Sequence, residues 1–381
     1  MQFSAALEKI HTDATQATGL DDFGTADYLE GLNRILDALN AASTLTDEGA
    51  PAALNLLTAA LAERLRTQHA WRENPGYADV VITAPVVITG IPRTGTTALH
   101  RLLACDPQFQ GVERWLSSNP MPRPARETWA QAPEFKACEA QVQAFLAAMP
   151  GFTDVHELDP QGVDECLELL KQDFVSNYFA SMLGIPAYRE WWLTADELPS
   201  YRRYADILRL IGLNDQDKRW LLKNPGHVWG IDHLFEVFPD AMVVQTHRNP
   251  VKTLPSVARV LEMPRSMYHG DNVDPAQIGP SEADLWRRAI DRTEIARRRH
   301  PDKFFDVKQS DLRQDPIGTV RGLYRQLGLE LADEVERDMR RWLDEQPEQQ
   351  RQAPDAPPER YGLTVKGIQD QFGDYIAKYE L

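Results

Sequence analysis

The sequence predicts an α/β fold, a parallel sheet flanked by helices with a helical N-terminal segment in front of it. Three observations lead there. An apolar run, Val86-Val87-Ile88, passes through a glycine-bearing turn into a stretch whose Leu99, Leu102 and Leu103 fall on one helical face. Further short apolar runs near 219–223, 241–246 and 303–307 are separated by helix-patterned stretches, notably 163–183 and 284–299, the alternation that parallel strands with crossovers require. Before residue 80, leucines recur only at helical spacing: Leu29, Leu32, Leu36 and Leu39, then Leu54, Leu57, Leu61 and Leu65. The expected division is a helical segment over 1–80, packed on the core or over its cleft, and an α/β domain over 81–381.

Composition bounds the function. With 381 residues and 43% hydrophobic content the chain can bury a full core. No run approaches the ~20 apolar residues of a membrane span, and Met1-Gln2-Phe3-Ser4-Ala5 has neither a basic nor an apolar leader pattern, so the cytoplasm is the expected location. Cys105, Cys138 and Cys166 are far apart and lack metal-ligand spacing, which points to reduced thiols. A net charge of −16 argues against a nucleic-acid surface. Any anionic ligand is then drawn in by a local basic pocket.

Taken in chain order, the first strand ends in the most informative segment. Gly90 and Gly95 stand in the spacing of the phosphate-cradling loop G-x-x-x-x-G-K-[ST], and Thr97 fills its hydroxyl position. Thr96 stands where that loop has Lys, and the cation, Arg93, lies inside the loop instead. Backbone N–H groups and the helix N-terminus there suit a 5′-phosphate, but the usual tool for a triphosphate is missing. No strand ending in Asp offers itself for Mg²⁺.

Asp154-Val155-His156-Glu157 precedes the 163–183 stretch, whose Cys166, Leu167, Leu170, Phe174 and Tyr178 read as core and whose Glu165 and Glu168 read as a solvated face. The strand at 219–223 closes in Leu222-Lys223-Asn224-Pro225-Gly226-His227, aiming Lys223 at the crevice beyond the strand ends where open α/β sheets hold ligands. His227 reads either as a further site group or as a packed helix-start residue. The strand at 241–246 ends in Thr246-His247-Arg248-Asn249-Pro250, with Asn249 placed to cap a helix that has Pro250 in its first position. Ser256 follows two turns on, after Pro255, which is expected to distort the helix. Arg248 and Ser256 together suit a clamp on one phosphate. Residues 346–358, rich in Gln and Pro, read as an extended loop.

Pro92-Arg93-Thr94-Gly95-Thr96-Thr97 resembles the 5′-phosphosulfate loop of sulfotransferases that use 3′-phosphoadenosine 5′-phosphosulfate (PAPS). Arg248 with Ser256 resembles the family's 3′-phosphate signature, and the Lys223 segment its Lys-x-Pro-x-x-His element. The resemblance runs from about 85 to 330, including Phe238-Pro239-Asp240-Ala241, Asp306-Val307, Asp311-Leu312 and Asp315-Pro316. It is weak before residue 80. Arg93 stands where many members have Lys, and the family's Arg-Lys-Gly element is matched only partly by Lys366-Gly367.

This resemblance implies a P-loop-NTPase-like sulfotransferase fold and PAPS as donor co-substrate, held by Arg93, Thr94, Gly95, Thr96, Thr97, Arg248 and Ser256. The acceptor is then a hydroxyl of a small molecule, lipid or sugar. In-line sulfuryl transfer needs a base for the acceptor proton and cations for the charge growing on the bridging oxygen. Lys223 and Arg93 are the candidate cations. His156, which titrates near neutrality untuned, is favoured as base over Glu157. Sulfuryl carries less charge than a γ-phosphoryl group, so no metal is expected. Trp191, Trp192, Tyr201, Met263 and Met267 suggest an apolar acceptor pocket, or else core. Two other readings remain: a nucleotide kinase or other phosphoryl transferase on the same fold, and a nucleotide-binding protein without chemistry.

Overall fold

In the structure, a computed structural model that describes residues 6–148, 158–345 and 356–381, five strands form one parallel sheet. They are β1 (Val86–Gly90), β2 (Phe109–Gln110), β3 (Arg219–Lys223), β4 (Met242–His247) and β5 (Phe304–Lys308), in the order β2-β3-β1-β4-β5. Register pairs Ile88 with Lys223 on one side of β1 and Gly90 with Thr246 on the other. The carboxyl ends of β1, β3 and β4 therefore lie side by side, where chain direction across the sheet reverses. Crevices at such points receive ligands in open α/β sheets.

All five residues of β1 are buried, as expected for a central parallel strand covered on both faces. Its side chains alternate. Val86 and Ile88 join Leu99, Leu102, Val320 and Leu323 on one face, while Val87 joins Tyr204, Leu208, Leu234 and Phe238 on the other. Helix layers on both sides follow from this alternation.

The N-terminal helices α1 (Ala6–Thr18), α2 (Tyr28–Ala41) and α3 (Gly49–Glu73) present their leucines to a third cluster, which includes Phe174, Phe179 and Trp286. Two buried ion-pair groups tie α3 to the following chain. Arg64 contacts Asp173 and donates from Nε to Phe23 O at 2.8 Å, and Lys171 meets Glu63 at 3.0 Å and Glu168 at 2.7 Å. No described helix is long and apolar enough to cross a membrane. The cysteines are free, and burial pushes each thiol up to about 11.

The expected helix over 163–183 is not continuous. Residues 163–165 are non-helical, an α-helical turn over Leu167–Leu170 tightens into a 3-10 turn over Lys171–Asp173, a second helix covers Asn177–Met182, and Phe174 adopts a left-handed backbone at φ 59° between them. Ser176 starts the second helix by accepting the Tyr178 N–H at 3.2 Å. Tertiary burial of the Phe174 ring, stacked on Phe179 at 5.4 Å, overrides the helical pattern. Glu165 and Glu168 both engage lysines rather than forming a solvated face. Of the loop expected at 346–358, residues 346–355 lie outside the described residues, and Pro358 opens a short 3-10 turn.

Candidate active site

β1 delivers the chain into its loop with backbone geometry that few residues tolerate. Gly90 has φ 143°, where a Cβ would stand 2.5 Å from Thr246 O, so the site demands glycine. Arg93 and Gly95 both lie at positive φ, 71° and 94°, and α4 (Thr96–Leu103) starts immediately afterwards. Backbone N–H groups in such a turn at a helix N-terminus form a concavity suited to anions. Thr94 does not face this concavity. Its buried hydroxyl donates to Ile91 O at 2.7 Å and lies 2.5 Å from Thr246 Oγ1, which locks the loop onto β4; only its backbone is offered to a ligand.

β4 delivers Arg248 beside the loop. Its Nη1 donates to Arg93 O at 3.2 Å. Asn249 caps α5 (Pro250–His269) by accepting the Val251 N–H at 3.0 Å, with Pro250 in the first helical position as expected. The helix continues through Pro255 and Pro264 without ending. It brings Ser256 to Arg93, whose Nε donates to Ser256 Oγ at 3.2 Å. Arg259, one turn beyond Ser256, completes a group of guanidinium ions. Burial, then Arg259 and Arg248, hold Arg93 below its ordinary range, with Glu165 acting in the opposite sense. Three like charges converging on one partly buried place fit an anionic ligand.

β3 delivers Lys223 from the other side. Asn224 N donates to Ile88 O at 3.2 Å, and Thr89 Oγ1 donates to Asn224 O at 2.9 Å, fixing the turn after Lys223 to the end of β1. Lys223 is 1% exposed, and its ammonium donates to Glu165 Oε1 at 2.6 Å and to Thr97 Oγ1 at 3.3 Å. His100, on α4, is pushed down to about 3 by burial and by Lys223, and so stands neutral. His227 is packed rather than aimed at the crevice, with Nδ1 2.9 Å from Tyr201 OH and its pKa lowered to about 3 by burial. Among the described residues no group of three His, Cys, Asp or Glu is arranged to hold a metal ion.

Arg93, Gly95, Thr96, Thr97, Lys223, Arg248 and Ser256 thus meet around one crevice, whereas His156 and Glu157 lie outside the described residues. Sequence reasoning missed Arg259 and Glu165. Arg259 is detectable as the residue one helical turn after Ser256; the Glu165 pairing depends on the break in the 163–183 helix. The aromatic set is spread over separate parts of the described structure. Trp192 and Tyr201 are buried in two different core clusters, Trp191 packs against the first, and Met267 is exposed.

A five-stranded parallel sheet with an arginine-bearing, lysine-free loop at the end of β1 is an α/β arrangement that this protein shares with solved sulfotransferases. Residues 85–333 match the Sulfotransferase family, and the chain belongs to it. Its sequence is 26% identical over 264 residues to the omega-hydroxy-beta-dihydromenaquinone-9 sulfotransferase Stf3 of Mycobacterium tuberculosis and to that of Mycobacterium bovis. These matches cover 66% of this chain and 64% of each relative, so the chain spans a little under two thirds of those relatives' length. The crystal structure of sulfotransferase STF1 from Mycobacterium tuberculosis H37Rv is similar with a TM-score of 0.89 and 38% identity, over 98% of this chain and 100% of that one. Sulfotransferase STF9 from Mycobacterium avium gives a TM-score of 0.90 and 28% identity, over 98% and 96% of the two chains.

Proposed function

We propose that the protein transfers a sulfuryl group from PAPS to a hydroxyl of a small-molecule, lipid or sugar acceptor. The observation that carries this reading is the convergence of Arg93, Arg248, Arg259 and Ser256 beside the lysine-free loop, with Lys223 facing them from β3. The curated relatives are named for an omega-hydroxy acceptor, which supports a hydroxyl as the nucleophile.

The donor supplies an activated sulfuryl group joined through a bridging oxygen to a 5′-phosphate. Backbone N–H groups of residues 93–97 and the start of α4 cradle that 5′-phosphate. The 3′-phosphate takes the guanidinium of Arg248 and the hydroxyl of Ser256, and Arg259 adds charge from the same helix. Lys223 and Arg93 meet the charge that develops on the bridging oxygen, which is the interaction that accelerates the step. His156, or else Glu157, accepts the acceptor's proton. Fixed side-chain cations then carry the role a phosphoryl transferase gives to Lys and Mg²⁺.

Incubation with PAPS and a panel of phenolic, sugar and hydroxylated-lipid acceptors under excess chelator tests the reading. Release of adenosine 3′,5′-bisphosphate together with a sulfated acceptor is expected. Cleavage of ATP that requires Mg²⁺, with PAPS left intact, would move the assignment to a phosphoryl transferase.

A further inference from the structure

The segment carrying Glu165 is fixed along its length. Val163 forms an antiparallel bridge with Glu113, Asp164 N donates to Val112 O at 2.7 Å, Glu165 N donates to Asp164 Oδ1 at 2.8 Å, and Cys166 N donates to Lys223 O at 2.9 Å. The backbone of Lys223 is thus bonded to the neighbour of the residue that grips its side chain. That grip is close: Lys223 Nζ lies 2.6 Å from Glu165 Oε1, with the lysine side chain 2% exposed and the glutamate 21%. Thr97 Oγ1, on the first turn of α4, takes a second donor at 3.3 Å. An ammonium has three N–H donors, so these partners set the direction of the one that remains. Glu165 also favours the charged form of Arg93, against Arg259 and Arg248. It is a carboxylate set among the cations that the proposed donor would engage.

We propose that Glu165 is a positioning residue for sulfuryl transfer, holding the Lys223 ammonium against Thr97 so that its remaining N–H meets the bridging oxygen. This rests on the donor reading above. In the step, the acceptor oxygen forms a bond to sulfur while the bond from sulfur to the bridging oxygen breaks, and the breaking pair stays on the 5′-phosphate. The acceptor's proton goes to the general base. Lys223 contributes a hydrogen bond, and Glu165 neither gains nor loses a proton.

A double-mutant cycle tests this, with adenosine 3′,5′-bisphosphate as the calorimetric probe of wild type, Glu165→Ala, Lys223→Ala and the double variant. Glu165→Ala is expected to tighten the bisphosphate about threefold to tenfold, mainly because the released Lys223 turns to the 5′-phosphate, with the loss of a negative charge near Arg93 contributing at most about twofold. In the Lys223→Ala background the same change should have at most about a twofold effect. With PAPS and 4-nitrophenol, Glu165→Ala should lower kcat about tenfold or more, while Glu165→Gln, which keeps an oxygen for Nζ, restores most of it. Weaker bisphosphate binding in Glu165→Ala, or equal effects in both backgrounds, would overturn the inference. Wild type that binds no bisphosphate overturns the donor reading and this inference with it; wild type that binds, without coupling, overturns the inference alone.

Discussion

Arg93 and Ser256, 163 positions apart, are joined by a hydrogen bond of 3.2 Å from Nε to Oγ. The bond links the loop after β1 to the helix after β4, two segments that only the central strand pairing brings together. Arg248 closes the same triangle by donating to the Arg93 carbonyl. The crevice is therefore a product of sheet order as much as of the loop motif.

Removing Arg248 tests its proposed place on the 3′-phosphate. Arg248→Ala should weaken adenosine 3′,5′-bisphosphate by about tenfold to a hundredfold, the equivalent of roughly 1.5–3 kcal/mol for a charge-assisted contact. Preference for the bisphosphate over adenosine 5′-monophosphate should shrink in parallel. Calorimetry with both nucleotides checks this, and equal losses for the two would place Arg248 elsewhere.

The N-terminal helices are bound to the core through buried charge. Arg64→Ala removes the nearer of the two guanidinium partners of buried Asp173, leaving Arg203 at 3.8 Å, and the expected loss is about 3 kcal/mol. Urea denaturation should show a lower midpoint with an unchanged slope. A loss below about 1 kcal/mol would mean that the pair is already relaxed by water.

His227 makes stability depend on pH with a definite sign. Burial lowers its pKa from an ordinary 6.5 to about 3, so the unfolded chain takes up a proton there that the folded chain refuses. The stabilisation is fully present above about pH 6.5 and is lost as pH falls toward 3. By pH 5 the loss from this group is about 2 kcal/mol. His227→Gln removes the titration and still offers an acceptor to Tyr201 OH. Its melting temperature should fall less steeply between pH 7 and pH 5 than that of wild type; parallel slopes would contradict the assignment.

The base is tested by the two residues that precede the 163 segment. His156→Ala should lower turnover about 10²–10⁴-fold with bisphosphate affinity unchanged, and wild-type activity should fall as pH drops through the histidine range. Glu157→Ala should do less. The opposite pattern would assign the base to Glu157.

What the sequence disclosed follows from how each element is stabilised. β1, β3 and β4 are buried strands whose apolar runs are local, and the residues at their carboxyl ends, Lys223 and Arg248, could be read as pointing to the crevice. β2 has only Phe109 and Gln110 and no run to read; its pairing with Arg219 and Trp220 is a tertiary fact. The break at Phe174 comes from packing against Phe179, and with it went the position of Glu165, 58 residues from its partner Lys223. Thr94 matched the loop motif, yet its hydroxyl serves the strand pair beneath. Aromatic spacing near Trp191 could not separate pocket from core, because both favour the same residues.

In the proposed function, the crevice between β1, β3 and β4 holds a 3′-phosphorylated adenosine nucleotide on Arg93, Arg248 and Ser256. Calorimetric titration of wild type with adenosine 3′,5′-bisphosphate, and separately with ATP and Mg²⁺, tests it most directly. The bisphosphate should bind at least about tenfold tighter than ATP, a difference of about 1.4 kcal/mol, with no requirement for Mg²⁺. Preference for ATP with Mg²⁺, or no binding of the bisphosphate, would contradict it.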